Sequence, residues 1–400
     1  MPRWEFISLA AALMALNALA IDIMLPGLQQ IGASLGVDNE NHRQYVISAY
    51  ISGFGLAQLA YGPISDRFGR RGPLLVGLSI YVAAALAAAL APTFGVLLAL
   101  RFVQGIGAAS TRVIAVSVIR DVFGGRAMAE IMSLVFMVFM VIPVIAPSVG
   151  QLVMLFSEWH MIFVLMAIVA FAITMWTALR LPETLHPEYR RAFTVRSVLG
   201  GFRIVLTNRV SLCYTLATTI VFGALFGFIN SAQQIYVGLY GLGVWFPIVF
   251  AAVAGMMAVS SFVNSRLVGR FGMRRLSHGA LVGFTLVNTV MFVLSMLGPI
   301  PLPIFVVLFT MAMLQFGWIG SNFNSIAMEP LGHVAGTASS VTGFVQTLGG
   351  GLIGAAIGQA FDGTVLPLAA GFCGVSFVAL LIVLYAEHGR LFQAHSRPLP

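Results

Sequence analysis

The 400-residue chain is 59% hydrophobic and 8% charged, and its net charge of +8 comes from 21 arginines and no lysine against 13 acidic residues. So little charge excludes a soluble globular protein. The absence of lysine also excludes a GxxxxGK[ST] phosphate-binding loop, which argues against an ATP-driven pump.

Apolar runs of 18 or more residues recur along the chain, and each can cross a bilayer core of ~30 Å. Helices are predicted, because the strands of a membrane barrel would be about 10 residues long and alternating. Asp22 interrupts the first run and no clear cleavage site follows, so we expect a membrane helix there rather than a signal peptide. The prediction is an all-α polytopic membrane protein with twelve spans, at residues 5–27, 44–65, 73–91, 94–118, 128–153, 159–180, 211–236, 245–268, 277–298, 303–327, 337–361 and 365–386.

These spans form two six-helix halves, residues 1–180 and 210–386, joined by a linker at 181–209 and followed by a tail at 387–400. With Met1 in the cytosol, 18 of the 21 arginines lie at inner loops, span ends or tails. The positive-inside rule therefore places both termini in the cytosol. In the linker, apolar residues between Val195 and Leu206 recur at helical spacing opposite Arg196 and Arg203. This pattern predicts an amphipathic helix on the inner bilayer surface or a simple connector.

The two halves carry a repeated loop. Arg67-Phe68-Gly69-Arg70-Arg71 is followed 203 residues later by Arg270-Phe271-Gly272-Met273-Arg274, and each segment comes after the second span of its half. Asp66 corresponds to Gly269, so the second copy lacks the acid. Parallel repeats of this kind are typical of transporters, which bind their substrates between the halves.

Several motifs give the chain a family resemblance. Gly62 to Leu74 resembles the loop between helices two and three of the major facilitator superfamily, 101–109 (RFVQGIGAA) its fourth-helix motif, and 146–150 (APSVG) the fifth-helix motif of its antiporters. Three further segments resemble the bicyclomycin/chloramphenicol-resistance (Bcr/CflA) group of drug:proton antiporters: 20–26 (AIDIMLP), 181–185 (LPETL) and 328–340 (MEPLGHVAGTASS). The fifth helix departs from the family pattern, with Ala146-Pro147 for Gly-Pro and Gly150-Gln151 for Gly-Gly.

The resemblance implies proton-coupled efflux of small amphipathic toxic compounds or drugs across a bacterial inner membrane, by a multi-pass monomer without cofactor. A proton-coupled importer or exporter of a nutrient or metabolite on the same fold is the alternative. A receptor or lipid-processing enzyme is a third possibility, but the sequence shows no signalling domain or catalytic constellation. The seven histidines have no metal-ligand spacing. Cys213 and Cys373 lie in spans and are expected to be core residues.

The predicted gating motif comprises Gly62, Asp66, Arg67, Gly69, Arg70 and Arg71. Asp66 lies at the C-terminal end of a helix, where the dipole disfavours negative charge. Nearby arginines, or the start of span eleven at Thr337, would compensate it. The resemblance implies that this contact closes the inner face, whereas the plainer interpretation is a turn that only sets topology.

Asp22, Arg101 and Arg112 are the charged residues placed within spans, and we predict that they couple transport to protons. A charge in the bilayer core costs at least ~2.5–3.5 kcal/mol, so each requires water or a partner. Asp22 could instead be an inert anchor paired with Arg101, and Arg112 could extend to the inner surface. Pro143, Pro147 and Gly150 mark the antiporter-type helix, in which the prolines form a hinge, a seal or a fixed kink.

Amides and large apolar side chains supply the predicted substrate pocket. Gln315, Trp318 and Asn322 share one helix face, and an aromatic with two amides suits a small amphipathic ligand. Any one of these amides could instead join helices. The full predicted set is Asn17, Phe136, Met137, Met140, Asn230, Gln233, Gln234, Gln315, Trp318, Asn322 and Gln346.

Overall fold

The structure is a computed structural model that describes residues 1–123, 125–186, 188 and 195–392. Fifteen α-helices account for most of these residues: α1 Arg3–Asp22, α2 Leu28–Ser34, α3 Tyr45–Phe68, α4 Arg71–Ala89, α5 Phe94–Val122, α6 Gly125–Phe156, α7 His160–Arg180, α8 Val195–Thr207, α9 Arg209–Gln233, α10 Phe246–Phe271, α11 Met273–Leu297, α12 Leu302–Met328, α13 Ala335–Phe344, α14 Gly350–Gln359 and α15 Leu366–Ala386. Two π-helical segments, Gln234–Leu239 and Val345–Gly349, continue α9 and join α13 to α14. The all-helical prediction is confirmed.

Ten helical stretches among the described residues are long and apolar enough to cross a membrane. They coincide with the predicted spans except the second and the fifth. The second predicted span coincides with α3, whose polar residues lower its hydropathy, and the fifth lies in α6, which contains the shorter apolar helix Val141–Phe156. A polytopic helical membrane protein is therefore confirmed, and the count of twelve spans stays a prediction.

Contacts between Cα atoms divide the chain into two compact units. The first comprises residues 1–199, 232–237 and 241–251, and the second comprises 200–231, 238–240 and 252–400. The first unit thus includes short segments around the end of α9 and the start of α10, which the sequence assigned to the second half.

In the first unit, α5 packs against α1, α3 and α4. A Cβ atom at Gly105 would overlap the carbonyl oxygen of Tyr50 in α3, and one at Gly107 would overlap the backbone of Gly77 in α4. Glycine is therefore required where these helices approach most closely, as expected for a small-residue stripe in a membrane helix.

In the second unit, α11 packs against α12 and α15, and α14 packs against α15. The predicted amphipathic helix is α8, and part of its apolar side packs on protein: Val205 and Phe202 contact a buried cluster of Leu331, Ala338 and Val341. Leu199 and Leu206 remain exposed. Among the described side chains of α8, this exposed edge is the part available to a bilayer surface, because the neighbouring edge covers the start of α13. Linker residues 189–194 and the side chains of 195–198 lie outside the described residues.

The repeated loop adopts the same backbone conformation in both units. Gly69 follows α3 with φ +95°, and Gly272 follows α10 with φ +81°. Such positive φ values favour glycine, so each copy ends its helix and lets the next begin within two residues. This similarity supports the internal repeat.

Candidate functional site

The gating loop is organised around Arg70, whose side chain is 3% exposed. Because Gly69 turns the chain sharply, the Arg70 guanidinium folds back beneath the end of α3. It bonds Asp66 at 2.6 Å, Ser65 at 2.9 Å and Asp121, at the end of α5, at 2.7 Å. Burial lowers the pKa of Arg70, but the bonds to Asp121 and Asp66 more than offset this and raise it, so the group stays charged. Arg70 is the arginine that compensates Asp66.

Glu183 reaches the same loop from the segment after α7. Its carboxylate accepts the backbone N–H groups of Arg70 at 2.7 Å and Arg71 at 3.2 Å, which open α4. A carboxylate at a helix N-terminus satisfies free donors and complements the helix dipole. Arg71 also donates to the carbonyl oxygen of Ala178 in α7 at 2.5 Å. Together these contacts fasten the loop to α7.

Two predicted members of the motif lie beside this network. The carbonyl oxygen of Gly62 accepts from Ser65 Oγ at 2.9 Å within α3. Arg67 is exposed, and its guanidinium lies 5.3 Å from the centre of the Phe68 ring. The side chain of Thr337, the predicted cap for Asp66, lies outside the described residues.

Arg101 is fully buried in the first unit. Its guanidinium donates to three uncharged acceptors: the carbonyl oxygens of Ala20 at 2.9 Å and Val46 at 3.2 Å, and Oε1 of Gln104 at 2.8 Å. It also lies 4.5 Å from the centre of the Tyr50 ring, a cation–π arrangement. Tyr50 in turn donates its hydroxyl to Asn17 at 2.9 Å. Arg101 therefore joins α1, α3 and α5 through neutral groups.

Asp22 ends α1 and is 4% exposed, and its Oδ1 has no hydrogen-bond partner within the described part of the chain. Arg101 bonds the backbone two residues earlier, at Ala20, and no ion pair joins it to Asp22 among the described residues. A Cβ at Gly150 in α6 would overlap the carbonyl oxygen of Ile23, so α6 packs tightly against the chain next to Asp22. Among the described residues, Asp22 is thus a buried carboxylate with no ion-pair partner, and the Asp22–Arg101 pair considered from the sequence is not formed.

The remaining first-half candidates lie on α5 and α6. Arg112 is half-buried in the middle of α5, and no residue in the described segments pairs with it. Pro143 and Pro147 lie inside α6, which continues past both. The side chains of Phe136, Met137 and Met140 lie outside the described residues.

The predicted amides of the second unit mostly join helices. Trp318 Nε1 donates to the carbonyl oxygen of Ser260 in α10 at 2.8 Å, and Asn322 donates to Asn264 at 2.8 Å. The side chain of Gln315 instead lies against α11, because a Cβ atom at Gly283 of that helix would overlap the Gln315 amide. Although the three residues share one face of α12, Trp318 and Asn322 therefore contact α10 and Gln315 contacts α11. A role for them in the substrate pocket stays a prediction.

Two other predicted amides, Gln346 and Asn230, differ in whether their polar groups have hydrogen-bond partners. Gln346, on the π-helical segment, donates to Asn324 at 2.7 Å. Asn230 is 1% exposed, and neither its oxygen nor its nitrogen has a partner in the described part of the chain. Buried amides without partners are costly, so Asn230 is the member of this set best able to bind a ligand group.

Gln233 and Gln234 belong to the first unit, where they contact other amides. Gln234 donates to Asn41 at 2.7 Å and accepts from Gln44, and Gln233 lies 3.5 Å from Gln29. These bonds tie the start of the π-helical segment to the connection between α1 and α3. They contain no titratable group.

The second unit has a charge network of its own that the sequence analysis missed. Arg274 bonds Glu387 at 2.9 Å and Glu329 at 3.1 Å, and Tyr214 lies between Glu387 at 2.8 Å and His278 at 2.7 Å. Burial would raise the pKa of Glu387, but the bonds from Tyr214 and Arg274 outweigh it and lower the pKa. The loop arginine of each unit thus binds acids at later helix ends. Position after a span is the only signal in the sequence that could have suggested Asp121, Glu183, Glu329 and Glu387.

Two helical units, with Asp22 and Arg101 buried in the first and a loop arginine paired with acids in each, are typical of a membrane transport protein. Residues 7–355 match the sequence profile of the Major Facilitator Superfamily, and the chain belongs to this family.

Its curated relatives align along nearly their whole length. The chain is 30% identical over 387 residues to an uncharacterized MFS-type transporter, YdgK, of Bacillus subtilis, covering 95% of this chain and 94% of the relative. It is 30% identical over 369 residues to a bicyclomycin resistance protein homolog of Haemophilus influenzae, with 91% of each chain covered. It is 29% identical over 401 residues to the multidrug resistance protein MdtL of Escherichia coli, with 98% of each covered.

Solved structures agree on the fold. The xylose transporter XylE of E. coli superposes with a TM-score of 0.74 at 12% identity, covering 96% of this chain and 97% of the other. The human organic anion transporter MFSD10 gives a TM-score of 0.69 at 16% identity, covering 96% and 100%. The resemblance noted in the sequence is confirmed.

Proposed function

We propose that this protein exports small amphipathic toxic compounds or drugs in exchange for protons, by alternating access across a bacterial inner membrane. In this proposal it acts as a monomer with twelve spans and both termini in the cytosol. The names of the Haemophilus and Escherichia relatives, which refer to bicyclomycin and multidrug resistance, support the substrate class.

The observation that carries the proposal is Asp22. A charged carboxylate buried in a span costs ~2.5–3.5 kcal/mol or more, and binding a proton removes that cost. Arg101 donates to Ala20, Val46 and Gln104, and among the described residues it forms no ion pair with Asp22. Asp22 can therefore either bind a proton or face a substrate. When two ligands compete for one charge, each lowers the affinity for the other, which is the coupling that exchange requires.

The network around Arg70 supports a gating role for the loop. Arg70 connects Asp66 on α3 with Asp121 on α5, and Glu183 holds the same loop from the segment after α7. These contacts join the end of α3, the start of α4 and the end of α5. A contact made by Asp66 with another part of the chain would be transmitted to all three helices.

The test uses purified protein in liposomes. Efflux-deficient cells first identify a transported compound from a panel that includes bicyclomycin and chloramphenicol. With one proton exchanged per substrate, a pH step of about 2 units drives up to roughly 100-fold accumulation, because each unit is worth about 1.4 kcal/mol. We expect Asp22→Asn to abolish this accumulation and to remove the pH dependence of substrate binding.

Asp38→Asn is the matched control, since Asp38 is exposed in the connection between α2 and α3. It should accumulate substrate like the wild type. Accumulation by Asp22→Asn in response to the same pH step would contradict the coupling role. If no toxic compound is transported and the protein instead supports proton-dependent growth on a nutrient or metabolite, the result would favour the alternative, a transporter of a nutrient or metabolite.

A further inference from the structure

An open groove of about 480 Å³ runs along the outside of the first unit, between α3 and α4. Its lining is almost entirely apolar, and Ile106 of α5 forms part of its floor. Ile106 lies between Gly105, which packs on α3, and Gly107, which packs on α4. The groove therefore follows from the packing: both helices press against α5 and leave a channel over the one larger side chain between the two glycines.

The groove has the length of a single membrane leaflet. Its α3 wall extends from Ala57 through Tyr61 to Phe68, residues that share one helix face. Eleven residues of helix rise about 16 Å, which is about half of a ~30 Å hydrocarbon core. The groove ends at the arginine-rich loop, where Phe68 and Gly72 line it. An extended hydrocarbon chain would fit it from the loop to the middle of the bilayer.

A cation lies at the loop end of the groove. The guanidinium of Arg67 is 5.3 Å from the centre of the Phe68 ring, and Phe68 is itself 61% exposed and part of the lining. Within the described segments no acidic side chain pairs with Arg67, in contrast to Arg70, which binds Asp66 and Asp121. Among the described residues, the groove thus combines an apolar channel about as long as one membrane leaflet with an unpaired positive charge at its loop end.

We propose that this groove is a binding site for an acidic phospholipid, with one acyl chain between α3 and α4 and the headgroup phosphate on Arg67. Charge complementarity selects this occupant. A neutral hydrocarbon would use only the channel, and a soluble anion would use only the arginine. A zwitterionic lipid brings its own cation to Arg67, so it binds more weakly than an acidic one.

The test is native mass spectrometry of the delipidated full-length protein, titrated with phosphatidylglycerol, phosphatidylethanolamine or phosphatidylcholine of identical acyl chains. We expect phosphatidylglycerol to bind most tightly. Arg67→Gln should weaken it about fivefold, which corresponds to the roughly 1 kcal/mol contributed by one basic residue at an anionic surface. Ala60→Trp, at a half-buried position of the lining, should block the channel and weaken all three lipids.

Arg270→Gln provides a matched control, because Arg270 stacks on Phe271 at 5.5 Å in the equivalent loop of the second unit. It should leave phosphatidylglycerol binding unchanged, and size-exclusion profiles should show that all variants fold. Equal binding of the three lipids would overturn the proposal, as would tighter binding of phosphatidylethanolamine. If Arg270→Gln weakened phosphatidylglycerol binding as much as Arg67→Gln, the lipid would be held by general electrostatic attraction to the surface and not by a specific site.

Discussion

Replacing Arg70 with alanine should destabilise the first unit more than any other single arginine change in this loop. The side chain of Arg70 is 3% exposed and bridges Asp66 and Asp121, which are 37% and 14% exposed. Removing one partner of a fully buried ion pair costs ~3–5 kcal/mol, because the other charge is left without compensation. Here water still reaches both acids, particularly Asp66, so we expect a loss of ~2–3 kcal/mol in the free energy of unfolding.

The assay is denaturant unfolding of the purified protein in lipid-free detergent, followed by intrinsic fluorescence and by the folded fraction on size exclusion. Arg67→Ala is the control, because Arg67 is exposed in the same loop and contacts only the ring of Phe68 among the described residues. As a surface substitution it should change stability by at most ~0.5 kcal/mol. Equal stability of the two variants would refute the assignment of Arg70 as the centre of the network.

A double-mutant cycle makes the test specific to one pair. In the Asp121→Asn background the Arg70→Ala change should cost less, with a coupling energy of ~1–3 kcal/mol, because the acid left behind is no longer charged. Additive effects of the two substitutions would mean that the 2.7 Å contact contributes no stability of its own.

Three further predictions follow from the other sites. Asp66→Asn should slow transport while leaving equilibrium substrate binding unchanged, as measured by uptake and by ligand titration of one preparation, and a normal uptake rate would remove the gating role. Gly105→Ala should cost ~1–3 kcal/mol by overpacking, whereas Gly95→Ala, which meets open space, should be neutral in the same unfolding assay. Trp318→Ala should lose at least ~1 kcal/mol, from its hydrogen bond to Ser260 and from the packing of a half-buried ring, so a changed substrate profile at wild-type abundance would show that it also lines the pocket.

The sequence alone was sufficient to predict the helices and the family. In a membrane each apolar run must satisfy its own backbone hydrogen bonds, so hydropathy fixes helix and approximate position together. The need for glycine in the loop could also be predicted from sequence, because Gly69 and Gly272 occur at matching places in a repeat. Both adopt the positive φ that glycine tolerates.

The hydrogen-bond and ion-pair partners of the polar side chains could not be predicted in the same way. Arg70 binds Asp121, 51 residues away, and its N–H binds Glu183, 113 residues away. Neither acid stands out in sequence, because Asp121 lies in the last turn of α5 and Glu183 follows α7, and both helices are positioned by packing against α4. The amides of α12 show the same limit, since a shared helix face does not say which neighbouring helix it meets.

The buried charged residues show most clearly what the sequence could predict and what only the tertiary structure decided. Composition made Asp22 and Arg101 conspicuous, because charge is so costly inside a bilayer. Whether they pair depended on backbone carbonyl oxygens, which every residue carries and no sequence pattern distinguishes. The packing of α1 and α3 against α5 brings the oxygens of Ala20 and Val46 to Arg101. Those neutral acceptors take up the donors of the arginine, and Asp22 is left without an ion-pair partner among the described residues.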